Sequence, residues 1–147
     1  MRIILLYVFV MLFLSGCDNN STTTTPLDFR TLLNTQSSAI VGQRFTVVKD
    51  IDAWKTLWAE HLGLATGVPM PEVNFAQDMV LGVFLGMRSN TCFSVSIETV
   101  EHIANQRVLV KFREQKAGPV CGQAETEPVH LIALRSSELP VEFVELE

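Results

Sequence analysis

"MVLGVFLGM", Met79–Met87, is a nearly continuous apolar run of strand length. A strand packed on both faces reads this way, because neither face needs a polar residue. The run predicts a central β-strand in which Gly82 and Gly86 mark bends or close packing. Just downstream, "CFSVSIETVEHI" (Cys92–Ile103) alternates. Phe93, Val95 and Ile97 fall on one face, and Ser94, Ser96 and Glu98 on the other. A period of two predicts a half-buried strand with one wet face. Asn105-Gln106 then turns the chain into "RVLVKFRE", where Val108, Val110 and Phe112 alternate with Leu109, Lys111 and Arg113. "VHLIALR" and "VEFVEL" supply two more β-segments on either side of Pro140.

Upstream of the central run lies one clear helix, "DAWKTLWAEHLG" (Asp52–Gly63). Trp54, Leu57, Trp58 and Leu62 mark one face of it at helical spacing, with His61 beside them. Asp50 or Asp52 is placed to cap it, and Gly63 to end it. Two tryptophans on one face call for a sheet to pack against, and their burial contributes ~3–6 kcal/mol. Before the helix, "LDFRTLL" and "AIVGQRFTVVKD" read as β-segments around the polar "NTQSS", with a bulge or bend at Gly42. Short links between consecutive strands favour antiparallel pairing. The expected fold is α+β: a mainly antiparallel sheet or half-open barrel of about seven strands, with one packed amphipathic helix.

The chain has 147 residues and a net charge of -5, with charges of both signs interspersed. That suits one domain and offers no basic footprint for nucleic acid. The mean hydropathy of +0.27 owes much to the first residues. "MRIILLYVFVMLFLSGC" (Met1–Cys17) has a positive Arg2, an apolar run from Ile3 to Leu14, and then Leu14-Ser15-Gly16-Cys17. The run is too short for a lone membrane span, which needs about 20 residues. It suits a secretory signal, and its end matches the bacterial lipobox. Residues 1–16 are therefore expected to be a signal peptide and Cys17 the acylated mature N-terminus. Diacylglycerol plus an N-acyl chain would anchor the protein stably in a bilayer. Asp18 then favours retention in the inner membrane, with the protein facing the periplasm. "DNNSTTTTP" (Asp18–Pro26) lacks apolar anchors and reads as a flexible tether. Residues 17–26 thus lead into a single globular domain at 27–147.

The chain has three cysteines. With Cys17 lipidated, Cys92 and Cys121 remain as a pair in an oxidising compartment, and a disulfide between them is expected. The competing readings are weaker. A nucleophilic cysteine needs a lowered pKa, and Cys92 opens a strand with no recognisable histidine partner. Cys92 and Cys121 lack the close paired spacing of zinc ligands. There is no G-x-S-x-G elbow, phosphate-cradling glycine loop or dinucleotide fingerprint. No catalytic residue, metal or cofactor is assigned.

The chain carries, in order, Trp54-x-x-Leu57-Trp58, Pro71-x-Val73-x-Phe75 and Val80-x-x-Val83-x-Leu85-Gly86-x-Arg88, then Ser94-Val95-x-Ile97, Val108-x-Val110 and Pro128-x-His130-Leu131-Ile132. Together these resemble the C-terminal domain of the PrcB family, the lipoprotein subunits of a spirochaete protease complex. The likeness runs from about Phe45 to Phe143 and transfers no catalytic residue. It implies a non-catalytic, membrane-tethered module that binds or stabilises a partner protein, a protease being the first candidate. Many relatives have a glycine-rich turn ending in tyrosine where this chain has Ser89-Asn90-Thr91-Cys92-Phe93. That turn, with Arg88, Ser89, Asn90, Thr91 and Phe93, is the expected partner surface. The alternative expectation is a periplasmic protease inhibitor, since a stapled loop on a small β-domain can enter a cleft. An apolar ligand carrier would instead need a sizeable apolar cavity.

Overall fold

The structure is a computed structural model that describes residues 23–147. The expected signal peptide, the expected lipidation site Cys17 and Asp18 lie outside the described residues. The elements run β1 Thr24–Pro26, β2 Phe29–Thr35, β3 Arg44–Val48, α1 Ile51–Leu62, β4 Asp78–Phe84, β5 Phe93–Ile103, β6 Arg107–Lys116, β7 Val129–Arg135 and β8 Val141–Glu145. One helix and eight strands make an α+β fold. The strands form two four-stranded sheets, in the orders β1-β5-β6-β8 and β2-β7-β4-β3. Every pairing is antiparallel except β6 with β8. The described residues form no closed barrel.

Three layers follow from the side-chain pattern. Met79, Leu81 and Val83 of β4 and Ile132 and Leu134 of β7 face Val95, Ile97, Val108, Val110 and Phe112 of the other sheet. Val80, Phe84, Val129 and Leu131, on the opposite face of β4 and β7, pack under Trp54, Leu57 and Trp58 of the helix. The continuous apolar runs are thus the strands covered twice, while β5 and β6 keep one wet face. Gly82 is there for close packing: a Cβ would lie 2.5 Å from Leu131 Cδ2 and 2.8 Å from Thr46 Cγ2.

The helix is capped as its sequence suggests. Asp50 accepts the Ala53 N–H at 2.8 Å. Gly63 ends it at φ +58, its N–H donating to the Ala59 carbonyl. Trp54 is buried with its indole N–H on the Pro71 carbonyl, 3.1 Å away.

Several expectations change. Folded structure begins earlier than Leu27, because Thr24–Pro26 pair with Glu101–Ile103 as an edge strand. Its exposed "TTP" carries no apolar signal and is held by backbone pairing alone. Of the strands joined by short links, only β5 and β6 pair, through a turn at Ala104-Asn105 where both φ angles are positive. The turn thus lies one residue before Asn105-Gln106. The links β4–β5 and β7–β8 instead carry the chain from one sheet to the other. The alternation in β5 also breaks. Its register shifts between Ile97 and Thr99, leaving Glu98 as the extra residue of a bulge, so Val100 points inward.

Candidate functional site

The strand directions gather the loops at two ends. The links 36–43, 63–68, 85–92 and 117–128 meet at one end. The entry of the chain at Thr23, the β5–β6 turn and the segment 136–140 meet at the other. We call these the loop end and the tether end. The expected site, Arg88–Phe93, belongs to the loop end.

There Cys92 and Cys121 form a disulfide, with 5.3 Å between their Cα atoms. Cys92 is buried. The carbonyl oxygens of Gly118 and Val120 lie 3.9 and 3.6 Å from its sulfur. A disulfide sulfur has no proton to donate, so these are packing contacts. The loop wraps the bridge with these carbonyls inward and the Val120 side chain outward, 90% exposed.

Backbone hydrogen bonds lace the loop end together. Ala39 donates to His61, Met87 to Val41, Thr91 to Gly122 and Glu127 to Gln36, while Arg88 and Thr126 exchange both bonds of an antiparallel bridge. Gly122 N–H also donates to Thr91 Oγ1 at 2.8 Å. Gln36 Nε2 donates to the carbonyls of Thr91 and Phe93 at 2.9 and 2.7 Å. Gly86 is required here: its φ is +75, and a Cβ would meet Gln43 N and Val41 O at 2.8 Å.

Arg88 is not a free recognition residue. Its Nε and Nη2 donate to both carboxylate oxygens of Glu114, at 2.9 and 2.7 Å, and Nη1 donates to the Leu85 carbonyl at 2.9 Å. The two side chains are only 24% and 23% exposed. The hydrogen bond from Arg88 holds the Glu114 carboxyl below its usual range, and the same bond raises Arg88 further. A forked guanidinium on a carboxylate is a latch, and it joins the turn to β6. Of the expected partner surface, Arg88 is thus the member engaged within the domain.

The other expected residues divide. Ser89 and Thr91 are exposed and Asn90 is half-buried. The Asn90 carboxamide accepts the Cys92 N–H at 3.1 Å, and its carbonyl accepts the Thr126 hydroxyl at 3.0 Å. Phe93 is half-buried beneath the Lys116 ammonium, 5.5 Å from its ring centre. The turn is thus presented but rigidly held.

Two buried histidines brace the same end. His61 Nδ1 lies 3.0 Å from Ser38 Oγ. That hydroxyl also accepts the Ile40 N–H, so the pair ties helix to loop rather than arming a nucleophile. His130 crosses between the sheets. Its Nδ1 accepts the Ile97 N–H at 2.8 Å, at the β5 bulge. Nε2 must then carry the proton of the neutral ring and donate to Thr31 Oγ1, 2.9 Å away. Burial lowers the pKa of both histidines. No group of three metal-ligating side chains occurs among the described residues.

The tether end is different in kind. A surface cleft of about 510 Å³ there is lined by Arg30, Glu72, Val73, Asn74 and Asp78 among others. Ile51, Met70 and Pro71 complete a mixed lining that lies open at the surface, so the cleft is no enclosed apolar chamber, and the space between the sheets is filled by side chains. Comparison with family models, with curated proteins and with solved structures returns no match.

Proposed function

We propose that this is a non-catalytic lipoprotein, anchored through acylated Cys17, that binds or stabilises a partner protein at the cell envelope, a protease being the first candidate. The lipobox motif and the resemblance to the PrcB family support the anchor and the class of function. The observation that carries partner binding is the construction of the loop end. A disulfide, a half-buried ion pair and a run of backbone bonds hold several loops in one conformation, which lowers the entropy lost on binding.

The inhibitor alternative is less well served. A substrate-like inhibitory loop must offer its scissile carbonyl to the enzyme. Here the Val120 carbonyl turns toward Cys92 Sγ. Incubating the mature domain with a panel of periplasmic proteases is the check, and stoichiometric inhibition would reinstate the alternative. Anchoring is tested by fractionating cells that express the chain or its Cys17→Ser variant. The parent should sediment with membranes and the variant should not. Partner binding is tested by purifying the lipidated chain from crosslinked membranes, where a recurrent protease would favour the proposed class. Outer-membrane recovery would remove the role given to Asp18.

A further inference from the structure

Large aliphatic side chains protrude from the loop end: Leu64 is fully exposed, Val120 90%, Val41 64% and Met87 51%. They belong to separate segments of the chain, yet those segments lie side by side. Leu64 follows Gly63, whose Cβ position is 2.7 Å from Ala39 Cβ. Val41 accepts the Met87 N–H, and Thr91 donates to Gly122, two residues past Val120. Residues 36–43, 63–68, 86–92 and 117–124 contain a single charged residue, Arg88, spent on Glu114, and charge returns only at the margin, with Lys116, Glu125 and Glu127 flanking the last segment. Depletion of charge around protruding apolar groups marks the centre of a protein interface.

We infer that the loop end is the partner-docking surface, and that its partner is a protein presenting an uncharged, apolar face with pockets for these aliphatic side chains. This rests on the lipoprotein reading for its orientation. From Cys17 to Thr23 the chain can reach about 20 Å when fully extended. It enters the domain at the tether end, whereas β5 alone, with 11 residues, spans about 36 Å to the loop end. The domain cannot stand on its loop end over the bilayer that anchors it. The chemistry also disfavours lipid: these segments hold no tryptophan, tyrosine or phenylalanine, and Lys116 at their margin lies over the half-buried Phe93 ring. Those are the residues that seat a loop in a headgroup layer. A second copy could meet the surface only with both domains lying flat along the membrane.

The test is photocrosslinking in intact cells. Benzoylphenylalanine replaces Val120 or Leu64 in the full lipidated chain, with Asn105 and Glu138 at the tether end as controls. One heterologous protein adduct of discrete mass should form from the first pair and not from the second. Adding Met87→Asp should cut it about tenfold, the effect of losing about 1.4 kcal/mol of binding. Val41→Asp should do the same, and unchanged melting temperatures establish that both variants fold. An adduct with the mass of a second copy, a lipid-only adduct, equal crosslinking from Asn105, or no adduct overturns the inference. Fractionation of the same cells keeps the two claims apart. If the parent chain is soluble, anchoring fails while the crosslinking pattern still judges the loop end.

Discussion

The two ends of the sandwich solve the problem of ending a β-sheet in opposite ways. At the tether end the chain turns tightly, at Ala104-Asn105, and charged groups face water. Arg107 and Glu142 approach there to 2.8 Å, although the N–H does not point along the contact, and both side chains are about half exposed. Such a pair is worth ~0–1 kcal/mol. At the loop end the connections are long, with Glu125 and Glu127 at the margin of an otherwise nearly uncharged surface. They are held by a disulfide, by Arg88 on Glu114, and by His61 and His130 beneath them. Long loops without regular structure tend to be mobile unless their polar backbone finds partners. Here they find each other. The contrast teaches that order at the loop end is built deliberately, while order at the tether end comes from the strands.

The largest expected effect is on the bridge. Cys92→Ser removes a closure across a sequence separation of 29, worth about 3.6 kcal/mol in the chain-entropy account. A clear fall in melting temperature should follow, measured by calorimetry. Thiol titration of the denatured, unreduced mature domain should find neither Cys92 nor Cys121 free.

Next comes the latch. Arg88→Ala strands the Glu114 carboxylate and should cost about 2 kcal/mol in urea unfolding. Arg107→Ala at the tether end should cost under about 0.5 kcal/mol. Equal costs would erase the contrast between the ends.

Acid should also distinguish them. His61 and His130 have folded pKa values lowered from 6.5 by burial. Below pH 6.5 the unfolded chain takes up protons that the folded protein refuses. Their stabilisation is therefore complete above 6.5 and is lost as pH falls toward the lowered folded values. Protonating His130 Nδ1 also breaks its bond from Ile97. Glu114, with its lowered pKa, adds a loss at more acidic pH. Urea midpoints at pH 7.5 and 5.5 should differ less in His130→Gln than in the parent.

The smallest effect is expected from Val120→Ser. It should leave stability within about 0.5 kcal/mol, because the side chain packs on nothing it would leave empty. A larger loss would mean that Val120 supports the fold rather than a partner.

Much of this architecture was legible in the sequence, for local reasons. Met79–Met87 is apolar on both faces because two layers cover it. Trp54, Leu57 and Trp58 recur at helical spacing because one face of the helix is buried. Setting Cys17 aside at its lipobox left Cys92 and Cys121 as the expected pair. What escaped is non-local. Nothing in "TTP" marks an edge strand, because only its backbone is used. The bulge at Glu98 is fixed from the opposite sheet by His130. Arg88 looked free because its partner, Glu114, lies on another strand. The apolar residues of the loop end are scattered singly along the chain, and only the fold brings them together. Their one sequence signal is the uncharged stretch around them in 36–43, 63–68 and 117–124.

The central claim is that the loop end is a preorganised surface, and amide hydrogen exchange tests it most directly. In the oxidised protein the N–H groups of Met87, Arg88, Thr91 and Thr126 should be protected. Reduction should release Thr91 and its neighbours while Ala104 and Gln106, hydrogen-bonded at the tether end, stay as they were. Exchange of the loop-end amides at free-peptide rates with the disulfide intact would contradict the account.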